Sequence, residues 1–296
     1  MITRSTILHL RLQFSWLLLP IYLLALLSAG SVDLAKAGIV FFVLHFLLYP
    51  AANGFNSFYD RDEESIGTLA RPPPVTPDLL RVSLALDAAA IAVGLVVGPL
   101  FALGCLLYGL GSKAYSHPAI HLKRYPWLGW LTTGLGQGSF VFLLVAACVQ
   151  GPERIPVSDL WLPAAAVALF TMGLFPVTQV YQHREDLRRG CTSISLRLGV
   201  RGTFCLSSLF ATAGILLYCY RLGAGAGAGR VWMFLLLNAP AAAYLVYWGA
   251  LAWRDEAKAD FRRATTMVAV AATGVNVFAL LALFGVSRGW QFLTGV

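Results

Sequence analysis

The chain has 296 residues, 58% of them hydrophobic and only 12% charged, about half the charge of an average soluble domain. That is too little charge to coat a soluble surface of this size, and the apolar residues form long runs without the period-two alternation of a membrane β-barrel. The net charge of +8 reads as membrane topology and attraction to anionic lipid, not as nucleic-acid binding.

Nine apolar runs are each long enough to cross ~30 Å of hydrocarbon as a helix. They lie at roughly 12–29, 38–58, 82–98, 99–115, 126–149, 159–181, 203–220, 231–252 and 266–287, with ends good to a few residues. The first run, Phe14–Leu27 behind Arg4 and Arg11 and before Ser28-Ala29-Gly30, has the shape of a signal peptide. Eight further runs make it a retained first span. Gly98-Pro99 barely separates the third and fourth runs, and Gly223–Gly229 reads as a flexible loop between the seventh and eighth. The sequence therefore predicts an all-α, polytopic bundle of nine transmembrane helices, a single domain over residues 1–296.

Seventeen of the 22 Lys and Arg fall on one side of such a bundle, the side of the N-terminus and the even-to-odd loops. By the positive-inside rule that side is cytoplasmic, and the C-terminus lies opposite. An inner or plasma membrane is the expected location. The five cysteines (Cys105, Cys148, Cys191, Cys205 and Cys219) are scattered with no metal-ligand spacing, and they read as small apolar packing residues.

The second run leaves the membrane through Asn53-Gly-Phe-Asn56-Ser-Phe-Tyr-Asp60-Arg-Asp62-Glu63-Glu64. Asn56, Asp60 and Glu64 are spaced i, i+4, i+8, one column on a continuous helix, with Asn53 a turn below. Hard oxygen ligands at a bundle mouth suit Mg²⁺, which takes one or two carboxylates, keeps water and shares its other positions with phosphate. Asp62 and Glu63 read as charges that end the helix in headgroup water. Asn53 and Asn56 lie at the edge of the apolar run, where an unpaired amide is costly, so they predict a cavity or a partner. The sixth run ends similarly, through Thr178-Gln179-Val-Tyr181-Gln182-His-Arg-Glu185-Asp186. Gln182 and Asp186 are again i, i+4 and on the same predicted side.

Basic residues surround both segments: Arg71 in Ala70-Arg71-Pro72, Lys113 and Lys123-Arg124 in the fourth-to-fifth loop, and Arg188-Arg189. Each alone reads as a positive-inside anchor. Beside carboxylates they are also what a diphosphate requires. Of the remaining polar residues, Asp87 is read as reaching headgroup water, with an acceptor contact as the lesser alternative. His45, Gln137, Asn238 and Asn276 are read as interhelical hydrogen-bond partners, with His45 or Gln137 as lesser candidates to touch an acceptor.

At these residues the chain resembles the UbiA-type intramembrane prenyltransferases over nearly its whole length. Asn56-Ser57-Phe-Tyr-Asp60-Arg-Asp-Glu-Glu64 is similar to that family's NDxxDxxxD motif, with Ser57 and Glu64 in place of two Asp. Arg71-Pro72, Tyr115-Ser116 with Leu122-Lys123-Arg124, and Asp186, Gly190, Ser193 and Leu198-Gly199 also match family positions. Gln182 departs, standing where the first Asp of the second motif, DxxxD, belongs. Either it donates a neutral oxygen, or Glu185 takes over, or a second metal is held less tightly. The resemblance implies a nine-helix bundle that transfers a prenyl group from an allylic diphosphate to a hydrophobic, commonly aromatic, acceptor in lipid. It implies Mg²⁺ on Asn56, Asp60, Glu64 and Asp186, with Asn53, Asn56, Arg71, Tyr115, Lys123 and Gln182 binding substrate. Asp60, Asp186 and Lys123 would carry the chemistry, and Phe55, Tyr59, Tyr115 and Tyr181 are candidates to shield an allylic cation.

Three other readings compete. A transporter would place its site near the bilayer midplane on broken helices, whereas these acids cluster at helix ends. A non-catalytic binding protein on the same bundle has Gln182 as its support. A CDP-alcohol phosphotransferase requires a DGxxAR segment, which is not found.

Overall fold

A computed structural model of the chain describes residues 2–151 and 154–285. Among the described residues nine long helices follow one another: α1 Arg4–Ser28, α2 Leu34–Asp60, α3 Asp78–Val97, α4 Pro99–Ser116, α5 Pro126–Cys148, α6 Val157–Arg188, α7 Ile194–Ala226, α8 Ala228–Arg254 and α9 Phe261–Leu283. Eight of them are long and apolar enough to cross a membrane. The ninth, α4, is less apolar because its last turns carry Gly111-Ser112-Lys113-Ala114-Tyr115-Ser116. The chain is an integral, multi-pass membrane protein, and helices are what hydrocarbon demands, since each satisfies its own backbone polar groups.

The helices approach closely where one of them is bare. A Cβ on Gly173 of α6 would lie 2.7 Å from the Ala211 nitrogen of α7, and one on Gly138 of α5 would lie 2.9 Å from Ala168 of α6. Small residues at such crossings replace the hydrophobic drive that lipid cannot supply. The central core holds Phe101, Phe142, Phe234 and Phe278, all fully buried. Asn276 of α9 donates to the Trp16 carbonyl of α1 (3.3 Å), the interhelical bond its position predicts.

Four departures from the sequence reading matter. The Gly/Ala segment is not a loop: α7 continues to Ala226 and α8 begins at Ala228, with Gly227 (φ 81°, ψ 169°) as the sole reversal. Alanine sustains helix through the glycines, and one left-handed glycine makes the turn without a linker. The seventh span starts at Ile194, ahead of the expected 203, across a kink at Gly199 (φ 68°). Wide π-helical turns interrupt α2 at Val43–Leu48 and α5 at Thr133–Phe140. Finally, Asp87 is not a lone acid. It forms an ion pair with Lys113 of α4, both side chains under a fifth exposed, and the Lys113 ammonium sits 5.1 Å over the Phe55 ring. Lys113 is thus consumed inside the bundle. Arg288 and the last two positions of the ninth predicted span lie outside the described residues.

Candidate functional site

The first half of the site is the exit of α2. The helix is regular from Tyr49 to Asp60, then stops because Arg61 adopts a left-handed conformation (φ 50°, ψ 44°) with its N–H returned to the Ser57 carbonyl. Asn56 and Asp60 therefore share one face a turn apart, but Glu64 does not extend that column. This corrects the three-residue ladder: a left-handed residue turns the chain away one step after Asp60. Glu64 instead pairs with Arg188 at the surface.

The exit of α6 is built differently. After Pro176 the helix tightens to a 3-10 turn at Val180–Gln182 and resumes as a short α-helix, His183–Arg188. Asp186 accepts from the Ser193 hydroxyl (2.7 Å), which also caps α7 by accepting from the Leu196 N–H (3.3 Å). Gln182 donates to the Ser65 carbonyl (3.4 Å). Glu185, 4% exposed, accepts from the Glu63 backbone N–H (2.9 Å) and pairs with Arg189 (2.6 Å). It thus fastens the two exits together, and it is not among the residues lining the cavity between them.

That cavity has a volume of about 1250 Å³. Asn53, Asn56, Asp60, Tyr115, Lys123, Gln182 and Asp186 all line its polar end, so most of the sequence-predicted site is brought together. Glu64 and Arg71 do not line it, and Arg71 is exposed. Asn56 donates to the Ser116 hydroxyl (3.0 Å) and Asn53 to the Leu10 carbonyl (3.4 Å). These are the partners that amides at the apolar edge demand. Tyr59 and Tyr181 also line the cavity, whereas Phe55 lies behind, its ring 4.8 Å from that of Tyr59. The deep end is apolar, with Phe140, Phe170 and Phe234 among its walls, and holds Gln137 and Asn238.

The polar end is also lined by Arg11 and Asp62, read from sequence as a topological and a solvated charge, and by Arg189, one of the basic residues expected beside a diphosphate. Arg11, 8% exposed and left-handed (φ 50°), donates to the Asn53 carbonyl (3.2 Å). Its guanidinium fills the space above Gly67, where a Cβ would lie 2.7 Å from Nη1. Asp62 pairs with Arg189 (3.0 Å). Burial, then the neighbouring charge of Asp60, pushes the Asp62 carboxyl up to about 7, against the pull of Arg189 and Lys123. Lys123 pairs with Asp60. Three carboxylates and three fixed cations thus face one another around a space that a polyanion and a metal could share. Only the position of Asp62 inside the acidic motif signalled its part, and nothing local in the sequence distinguishes Arg11 from an ordinary membrane anchor.

The sequence profile of the UbiA prenyltransferase family matches residues 17–270. The chain belongs to that family. Searched by sequence alone, no curated protein matches. Among solved structures, a UbiA homologue from Aeropyrum pernix K1 superposes with a TM-score of 0.68 at 24% identity, covering 90% of this chain and 98% of its own. A UbiA homologue from Archaeoglobus fulgidus bound to GPP and Mg²⁺ superposes at 0.67 and 15% identity, covering 94% and 99%. A digeranylgeranylglyceryl phosphate synthase gives 0.59 at 19%, covering 96% and 98%.

As a member of the UbiA family the chain is an intramembrane prenyltransferase by class, and its donor set can be tested against Mg²⁺. Amides and carboxylates supply oxygen ligands at the polar end, yet among the described residues no three Asp, Glu, His or Cys are grouped closely enough to hold a metal by themselves. That suits an ion held by one or two side chains and completed by phosphate and water, which is how Mg²⁺ is ordinarily bound. The residues fit the ion as one shared with its substrate.

Proposed function

We propose that this UbiA-family protein transfers a prenyl group from an allylic prenyl diphosphate to a hydrophobic, aromatic-ring acceptor at the cytoplasmic mouth of the bundle, in a Mg²⁺-dependent reaction. The observation that carries this reading is the convergence of Asn56, Asp60, Lys123 and Asp186 on one polar pocket that opens into an apolar cavity. Such a pocket suits a molecule with a polyanionic head and a hydrocarbon tail.

Asn56, Asp60 and Asp186 would hold the ion, with Asp62 beside them. Bound there, Mg²⁺ supplies charge neutralisation of the diphosphate and so eases its departure. Lys123, fixed by Asp60, presents an ammonium to the same head group, and Arg11 and Arg189 add two guanidinium groups that are already desolvated or paired. Preorganised cations of this kind stabilise charge as it accumulates on a leaving group. The allylic C–O bond breaks with its electron pair going to the diphosphate oxygen. The allylic carbon then bonds to the acceptor nucleophile, which gives up a proton. Tyr59, Tyr115 and Tyr181 wall the space where the cation forms. Their rings can stabilise it by ~0.5–2 kcal/mol each while the surrounding bundle excludes water.

The positive-inside asymmetry supports placing this mouth on the cytoplasmic side of an inner or plasma membrane. Asp60→Asn and Asp186→Asn each should abolish Mg²⁺-dependent release of diphosphate from purified protein supplied with a panel of prenyl diphosphates and a membrane extract. Full activity in either variant would remove the site proposed.

A further inference from the structure

Charge around the cavity is already balanced. Among the described residues, the Lys and Arg side chains on its walls are Arg11, Lys123 and Arg189, and the acids are Asp60, Asp62 and Asp186. Lys123 pairs with Asp60, and Arg189 with Asp62 and Glu185. Arg11 donates to the Asn53 carbonyl and feels the charges of Asp62 and Asp60. Lys113 and Arg188 pair elsewhere, with Asp87 and Glu64. His121 also lines the cavity, but burial and then Lys123 lower its pKa against the pull of Asp60, so it adds no charge near neutral pH. A prenyl diphosphate with one Mg²⁺ therefore leaves no cation over for a second anion.

Two amides on the walls keep an unpartnered, buried atom: Gln137 through Nε2 at the deep end, and Gln179 of α6 through Oε1. The backbone at Gln179 is fixed. Its N–H donates to the Pro176 carbonyl (3.0 Å) and its carbonyl accepts from the Gln182 N–H (3.0 Å), in the break that follows Pro176. Leu174 and Phe175 line the cavity about a turn earlier, and Tyr181 two positions later. A leucine at 179 would complete that apolar wall. A buried amide oxygen without a donor instead costs free energy until a ligand supplies one. Gln179 stands seven positions ahead of Asp186, toward the interior of the bundle. A group that it holds lies beneath the diphosphate pocket and next to Tyr181, one of the rings around the allylic cation.

We infer that the acceptor is an uncharged, hydroxyl-bearing ring held by Gln179, and that rings carrying a carboxylate are rejected for want of a counter-ion. The inference rests on the donor being a prenyl diphosphate and the acceptor aromatic, as proposed above. A primary amide carries a donor beside its acceptor. It can take the hydroxyl hydrogen and also give a hydrogen bond to a hydroxyl oxygen, which fixes the ring's orientation. A second anion would enter a water-poor pocket beside the diphosphate, where like charges repel strongly.

The test uses full-length protein in detergent or nanodiscs with Mg²⁺, geranyl diphosphate and two matched rings. These are 2-methylhydroquinone and 2,5-dihydroxyphenylacetate, which differ by a carboxylate. For wild type, kcat/KM should favour the uncharged ring by about a hundredfold. Calorimetric binding of the two rings, with inorganic diphosphate and Mg²⁺ in place of the donor, should rank them in the same order without turnover. Equal or tighter binding of the carboxylated ring, or no binding of the uncharged one, would overturn the inference. Gln179→Leu should raise KM for 2-methylhydroquinone about tenfold and move KM for geranyl diphosphate less than about twofold. Gln179→Arg supplies the missing counter-ion and should narrow the preference between the rings at least about tenfold. Equal effects of Gln179→Leu on both substrates, or an unchanged preference in Gln179→Arg, would remove Gln179 from acceptor recognition. The wild-type comparison stands even if a variant fails to fold. Failure to release diphosphate from any donor, with either ring or with a membrane extract, would instead remove the proposed function, and the binding comparison would still decide between the rings.

Discussion

The two helix exits that make the site carry similar residues and do opposite work. The α2 exit is a regular helix to its last turn, and it presents Asn56 and Asp60 to the cavity at fixed spacing before Arg61 reverses the chain. The α6 exit breaks into a 3-10 turn and a short helix, and it divides its acids. Asp186 faces the cavity, while Glu185, one position earlier, turns aside to grip Arg189 and the Glu63 backbone. One exit presents ligands, and the other both presents a ligand and clamps the first in place. Similar composition at two helix ends therefore does not mean equivalent function, because backbone geometry decides which acids see the substrate.

The presenting side should be the more sensitive in catalysis. Lys123→Met leaves Asp60 without its cation and the leaving group without a charged donor. The expected loss is ~10²–10³ in kcat, measured as diphosphate release at saturating donor. An unaltered kcat would mean that Arg11 and Arg189 suffice. The clamp should show itself in stability first. Glu185→Ala strips Arg189 of one of two carboxylate partners and leaves the Glu63 N–H unpaired. It should cost about 2–3 kcal/mol, less than a buried pair losing its sole partner, since Asp62 remains. Turnover should fall about tenfold as the exits lose their mutual position. Thermal unfolding in detergent together with KM for the donor separates the two effects. A variant that is inactive yet as stable as wild type would show Glu185 acting on substrate directly.

Much of this architecture is legible in the sequence, and the illegible parts share a cause. The long apolar helices, and the clustering of both motifs at one end of the bundle, follow from hydropathy and charge, because lipid imposes those patterns residue by residue. The Asn56–Asp60 pair is legible because it lies within one helix. The displacement of Glu64 is not, since it depends on Arg61 accepting a left-handed conformation that no glycine announces. Arg11 is equally hidden: as sequence it is a topology anchor, and only the fold turns it inward, whereas Arg189 is legible as one of the cations flanking the second motif. Asp87 and Lys113 are 26 positions apart, and their pairing depends on how α3 packs against α4. Contacts set by packing between distant segments leave no periodic trace.

Gln182 probes whether the α6 exit can be made more like a presenter. It lines the cavity and donates to the Ser65 carbonyl, so Gln182→Asp trades that bond for a fourth carboxylate beside Asp60, Asp62 and Asp186. Ligand charge count raises affinity for hard cations. Half-saturation by Mg²⁺ should fall about three- to tenfold, read as binding of Mg²⁺ with inorganic diphosphate by calorimetry. No change would mean that position 182 does not face the bound ion.

Glu64 provides the finest discrimination. By motif it is a metal ligand, the third step of a column begun by Asn56. By geometry it is a surface partner of Arg188, with the two side chains 39% and 55% exposed. The two roles predict different magnitudes for Glu64→Gln. A surface pair contributes ~0–1 kcal/mol and weakens with salt. The variant should therefore unfold within about 0.5 kcal/mol of wild type, and its Mg²⁺ dependence should move less than about twofold. A metal ligand lost from a site with so few carboxylates would instead raise the Mg²⁺ requirement at least about tenfold, ~1.4 kcal/mol in binding. The larger shift would mean that the loop after Arg61 swings Glu64 into the cavity when diphosphate arrives, and the α2 exit would then present ligands along its whole length.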